Sequence, residues 1–153
     1  MPPLPTPDPA QRLRQEALRL LTRREYSRAQ ISDKLASRCD SPELLAQTLD
    51  GLEAQHLLSD SRYAQQRVNS RASRYGNARL AQELRRDGLN DADINTALAD
   101  SVDETSRCRA VWAKKFTDLP HTANDRARQM RFLQYRGFSG DAIRQVLRGD
   151  DEE

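Results

Sequence analysis

The side chains of this chain best equipped for chemistry are arginines, and their spacing is regular. Arg62, Arg67, Arg71 and Arg74 recur at intervals of three to five residues, which places them along one strip of a helix, and Arg79 opens the next segment. From Arg62 to Arg86 seven arginines meet a single acid, Glu83, a local excess of +6 inside a chain whose net charge is only +2. A guanidinium is a planar fork that pairs bidentately with carboxylate or phosphate and sheds water more readily than an ammonium. The chemistry on offer is therefore recognition of an anionic surface.

The same bias returns twice more. Arg12 to Arg38 holds eight basic residues against Glu16, Glu25 and Asp33, and Arg126, Arg128, Arg131 and Arg136 form a third block. Between them, Asp40–Asp60 and Asp87–Glu104 carry acids and no Lys or Arg. Charge runs are often just solvated faces. Similarly placed blocks in stacked repeats would instead align into one stripe, the footprint of an acidic or phosphate-bearing polymer. The candidate partner-binding set is Arg62, Arg67, Arg71, Arg74, Arg79, Arg128 and Arg131. Reversing Arg67 and Arg71 to Glu is expected to abolish or strongly weaken the effect on the partner, to lessen the salt dependence of whatever binding remains, and to leave helix content and melting temperature nearly unchanged. Tyr75 and Tyr135 flank arginines near turns, where cation–π packing and partner contact are both open. Val111, Trp112 and Phe116 fit one helical face and read as core, as does Tyr63, which is in register with Trp112.

Other chemistries lack parts. The sequence holds no phosphate-binding glycine loop, nucleophile elbow or H-E-x-x-H pair, so no catalytic residues and no cofactor are assigned. Cys39 and Cys108 lie far apart, and His56 and His121 add no complementary spacing, so no metal site is expected. No apolar run approaches the roughly 20 residues of a membrane-spanning helix. Together with two unclustered cysteines this points to a cytoplasmic protein with free thiols.

The elements that position these residues are helices in a repeat. Leu35, Leu84 and Leu133 are spaced by 49 residues, and so are Leu45, Ile94 and Ile143, then Leu49, Leu98 and Leu147. In the same register Cys39 matches Gly88 and Gly137, and Ser41 matches Asn90 and Ser139. The spacing predicts an all-α fold: an elongated, curved array of three tandem three-helix repeats, about nine helices in all, each with a helix-turn-helix-like pair. The expected boundaries are a disordered Pro-rich leader over 1–10, repeats over 11–57, 58–102 and 103–149, and an acidic tail over 150–153. Gly88 and Gly137 fall where a helix must end in the left-handed conformation. Cys39 tolerates it less, so the first repeat should turn differently there.

At these residues the chain resembles the RecX family of bacterial recombination regulators. Asp60-Ser61-Arg62-Tyr63-Ala64 is similar to the family's opening of the second repeat. Tyr75-Gly76-Asn77-Ala78-Arg79-Leu80, then Glu83-Leu84 and Gly88-Leu89, is similar to its core, and Arg131-Phe132-Leu133-Gln134-Tyr135-Arg136-Gly137-Phe138 to its third repeat. The resemblance implies a non-enzymatic regulator, and a monomer is the expected state. Such a protein binds RecA and RecA–ssDNA filaments in the filament groove and inhibits recombinase, ATPase and coprotease activities, so modulating recombination, DNA repair and the SOS response. Direct contact of the basic stripe with ssDNA or dsDNA is a further partner reading. The alternative function is a helix-turn-helix DNA-binding protein, transcriptional or architectural. The resemblance carries over no site residues; those named above rest on charge and exposure.

Overall fold

The computed structural model describes residues 2–3 and 8–149. Among them are nine α-helices and no strand: α1 (Pro9–Leu21), α2 (Arg28–Leu35), α3 (Pro42–Ala54), α4 (Asp60–Arg71), α5 (Asn77–Arg86), α6 (Asp91–Ala99), α7 (Glu104–Lys115), α8 (Ala123–Tyr135) and α9 (Gly140–Arg148). The fold class is all-α, as the periodicity requires. The acidic tail lies outside the described residues, as does much of the leader. The described end of that leader is helical. Asp8 accepts from the backbone N–H of Gln11 while the Gln11 side chain accepts from Asp8, a capping box that starts α1 at Pro9, two residues before the expected Gln11.

The chain divides into two compact units, one of residues 1–63 with Asp87–Leu89 and one of 64–86 with 90–153. The core of the first packs Leu13, Ala17, Ile31, Leu35, Leu49 and Leu52 from α1, α2 and α3 around Tyr26 and Leu58. In the second, Cys108 and Val111 of α7 meet Leu133 of α8 and Ile143, Val146 and Leu147 of α9, with Trp112 and Phe132 partly buried against them. Trp112 donates through Nε1 to Gln129 at 2.8 Å, and buried Gln129 donates on to the Asp118 carbonyl at 3.1 Å. Tyr63 is buried and donates to Asp87 at 2.6 Å. All three leucines of the 49-residue series, Leu35, Leu84 and Leu133, are buried, and Ser41, Asn90 and Ser139 each cap the helix that follows.

Turn chemistry explains the register. At the end of α8, Gly137 has φ 90°, its N–H donates to Gln134, the Phe138 N–H donates to Leu133, and the Leu133 and Phe138 side chains meet in the core. That is a complete Schellman motif. Gly88 has φ 91°. The first repeat differs, as the Cys39 position suggested: one 3₁₀ turn, Ala36–Arg38, leads into an extended Cys39 with φ −143°. Its left-handed residue sits elsewhere, at His56, where φ is 62° and the N–H groups of His56 and Leu57 close the same pair of bonds onto Glu53 and Leu52.

Within each unit the turn after one helix seats the start of another in the same way. In the first, Ser27 donates through Oγ to the Asp87 carbonyl at 2.6 Å, and any Cβ on Gly88 would strike that of Ala29. In the second, Gly76 donates through its N–H to the Arg136 carbonyl at 2.8 Å, and a Cβ on Gly137 would strike Arg79. Residues 27 and 76, like 87 and 136, are 49 apart. The first N–H of the seated helix is also satisfied by an acid opening a later helix: Arg28 by Asp60 and Asn77 by Glu104, each at 2.7 Å. Arg107 reinforces the second junction. It is buried, donates to the Asn77 side-chain oxygen through both terminal nitrogens, and has its pKa lowered by burial.

Two stability outcomes follow from this packing. Leu84→Ala empties a fully buried site and should cost about 2–5 kcal/mol in urea unfolding. His56→Gly removes a left-handed side chain and should raise stability by about 1 kcal/mol in the same experiment.

Candidate anion-binding face

Of the seven nominated residues, one lies in the first unit and six in the second. Arg62 belongs to the first unit, where Nε pairs with Glu25 at 2.6 Å and the two terminal nitrogens hold the His56 and Leu57 carbonyls at 3.0 and 3.3 Å. It clamps the left-handed turn after α3, a structural role at a position the spacing marked for binding.

Arg67, Arg71 and Arg79 converge on Glu83, the lone acid of the block. Arg71 grips it with two 2.7 Å bonds, Arg79 lies 3.5 Å away and Arg67 4.0 Å. Burial raises the Glu83 carboxyl pKa, but the hydrogen bonds and charge of Arg71, with Arg67 and Arg79, outweigh it and leave the group below its ordinary value. The Arg71 guanidinium is correspondingly held above its own ordinary value by its hydrogen bonds to Glu83. The side chains of Arg71 and Glu83 are only 20% and 14% exposed. The expectation that reversing Arg67 and Arg71 spares folding therefore does not fit the structure: Arg71→Glu would set a new carboxylate against a half-buried one.

Tyr75 lies among guanidiniums. Its ring centre is 4.0 Å from Arg79, 4.7 Å from Arg71, 5.6 Å from Arg74 and 5.7 Å from Arg136. Of the two readings open for it, this is the cation–π one. Around Tyr75 and Glu83, five arginines share one carboxylate, which leaves a strongly positive surface.

The free cations lie further on. Arg74 lines a cavity of 230 Å³ with Lys114 and Lys115, from the last turn of α7, and Arg136, from the end of α8. Ser73, Val111 and Phe132 complete the wall, and no acid lines it. Arg136 is fixed there by a 3.3 Å bond to the Arg74 carbonyl and lies 5.2 Å over the Phe132 ring, with Lys115 at 5.7 Å. On α8, Arg128 pairs with Asp125 at 2.8 Å, Arg131 is exposed, and Tyr135 is 84% exposed. Sequence reasoning missed Lys114, Lys115 and Arg136 as site residues. Lysines at a helix C-terminus read as partners of its dipole, and only packing brings them to Arg74.

This arrangement can hold anions. Cys108 is buried, and burial pushes its thiol up to about 12. Among the described residues no group of three His, Cys, Asp or Glu could hold a metal, and no helix is long and apolar enough to cross a membrane.

Fold and face together define an all-α tandem-repeat protein with an anion-receptive surface. Models of the first, second and third three-helix domains of RecX match residues 14–52, 59–98 and 103–147. Regulatory protein RecX of Chromobacterium violaceum is 43% identical over 92% of each chain, and that of Pseudomonas syringae pv. tomato 44% over 90% of each. The crystal structure of RecX from Lactobacillus salivarius superposes with a TM-score of 0.82 at 21% identity, covering 92% of this chain and 96% of that one. The chain belongs to the RecX family, and its role is that of a regulatory protein.

The Glu83 junction makes a prediction with a sign. Because its folded pKa is depressed, Glu83 contributes stability above the ordinary value of 4.5, and that contribution is lost as pH falls through the lower folded value. Glu83→Gln should therefore be less stable at pH 7 by about 1–3 kcal/mol. In urea melts run at falling pH, the gap to the parent protein should close only on the acid side.

Proposed function

We propose that this protein binds RecA and RecA–ssDNA filaments in the filament groove and restrains the recombinase, ATPase and coprotease activities. By that route it modulates recombination, DNA repair and the SOS response, acting as a cytoplasmic monomer. The observation that carries the reading is the match of three successive RecX domains in order along the chain. The cations that meet no acid around the cavity, Arg74, Lys114, Lys115 and Arg136, together with exposed Arg131 of α8, support it, since a groove lined by acidic side chains or phosphates is the complement of such a face. Arg74, Arg128 and Arg131 are the contacts we retain from the nominated set. Arg67, Arg71 and Arg79 contribute field, with their forks engaged by Glu83.

The test is a titration of RecA–ssDNA ATP hydrolysis. Substoichiometric protein should slow it, and no effect at several-fold excess would overturn the proposal. A helix-turn-helix DNA binder would instead hold duplex alone, with affinity falling steeply as salt rises. Arg128→Glu combined with Arg131→Glu should weaken inhibition strongly while the melting temperature stays nearly constant, because both side chains are exposed.

A further inference from the structure

We propose that the cavity between the end of α4 and α7 binds a small monocarboxylic acid with an apolar body, its carboxylate taken by the guanidinium of Arg107. The cavity measures 410 Å³, within the roughly 300–1,000 Å³ of small-molecule pockets, and its lining belongs wholly to the second unit. Two independent observations say what it takes. The first is an orphan donor. Arg107 lines the cavity and is only 6% exposed. Its two terminal nitrogens share the Asn77 side-chain oxygen, and its buried Nε has no hydrogen-bond partner among the described residues. A buried donor left bare is costly, the more so on a charged group. Glu104 and Asp103 favour the charge from nearby, but they accept from the N–H groups of Asn77 and Ser106. Nor does the junction itself demand a cation. Arg107 stands three residues after Glu104, and in the first unit the place three residues after Asp60 belongs to Tyr63, an uncharged side chain that accepts from Gln30. A carboxylate is the acceptor that the free side of a guanidinium fork takes best.

The second observation is how the rest of the lining divides. Val102 is 67% exposed, one of three large hydrophobic side chains left to water among the described residues, and it lines this cavity with Ala72 and Ala110. A ligand with an apolar body gains by covering them. The charged residues of the lining are Arg107, Lys114 and Asp100, a balance of +1. That balance suits a single negative charge. A phosphate dianion would face Asp100 with charge to spare, and an uncharged molecule would leave the guanidinium as it stands. The assignment is thus a carboxylate on Arg107, with a hydrocarbon or ring against Ala72, Val102 and Ala110.

This inference does not rest on filament binding, and its test omits the recombinase. Phenylacetate is titrated into the isotope-labelled full-length protein and followed by NMR, with phenylacetamide as the uncharged isostere. The Nε–H signal of Arg107, assigned through its own side-chain carbons, should move downfield as the carboxylate engages it. The backbone amides of Ala72, Val102 and Ala110 should move with the same Kd, on the order of 1 mM for a ligand of about ten non-hydrogen atoms. The amides of Leu13 and Leu49, in the core of the first unit, should stay still. Ala110→Leu fills the cavity from an exposed helix position, so it should weaken binding by about tenfold or more and leave the melting temperature nearly constant. Arg107→Lys, which removes the fork, should weaken binding on the same scale; if that variant fails to fold, the Nε–H signal and Ala110→Leu still decide. Acetyl-glycyl-phenylalanine, which carries a like group on a chain end, should gain nothing over phenylacetate. Equal shifts with phenylacetamide, an Arg107 signal that does not move, or full affinity in Ala110→Leu would each overturn the proposal. Tighter binding of the peptide would overturn it too, and would assign the cavity to the C-terminus of a protein.

Discussion

The constraint on which the rest depends is the close seating of a helix start against a glycine turn from further along the chain. Ser27 and Ala29 meet the Asp87–Gly88 turn, and Gly76 and Arg79 meet the Arg136–Gly137 turn. Two backbones approach so closely only where one lacks a Cβ. The contact also satisfies polar groups that helix ends would leave bare. Each unit can then bury its leucines with little aromatic content, because alignment comes from backbone geometry and the side chains fill what remains.

The same seating shapes the charge. The N-terminal residue of α5 is drawn to Glu104 and Arg107, and the turn before it carries Tyr75 into the arginine cluster. Glu83 then acts as a fixed counter-ion beneath three guanidiniums, orienting their forks and offsetting part of their repulsion. A surface in which Arg67, Arg71 and Arg79 are tethered to one half-buried acid is more rigid than the composition alone suggests. Rigid cations lose less entropy on binding an anion.

Much of the fold was legible because it is written in local chemistry. The capping residues Ser41, Asn90 and Ser139, and the glycines at 88 and 137, act on their own turns, and the 49-residue register ties the leucines to them. The left-handed His56 was missed because a histidine carries no turn signal of its own; only the paired bonds onto Leu52 and Glu53 reveal it. The prolines before Pro9 give it the look of a leader, although Asp8 and Gln11 spell a capping box. The binding face was less legible. Spacing marked Arg62 and Arg71 as surface residues, whereas Glu25 and Glu83 claim them across 37 and 12 residues of sequence. Nor does linear spacing bring Lys114 beside Arg74. Partner identity between distant charges is a property of packing, and no single-helix pattern carries it.

Cys108 turns the second unit into its own clock. Its thiol sits in the α7–α8–α9 core, protonated at any physiological pH and shielded from reagents. An alkylating agent can reach it only during the moments when those helices part, while half-buried Cys39 reacts from the folded state. The rate at which Cys108 is trapped therefore counts core openings directly. A bound polymer that holds α7 and α8 together would slow that count with no spectroscopic label on either molecule.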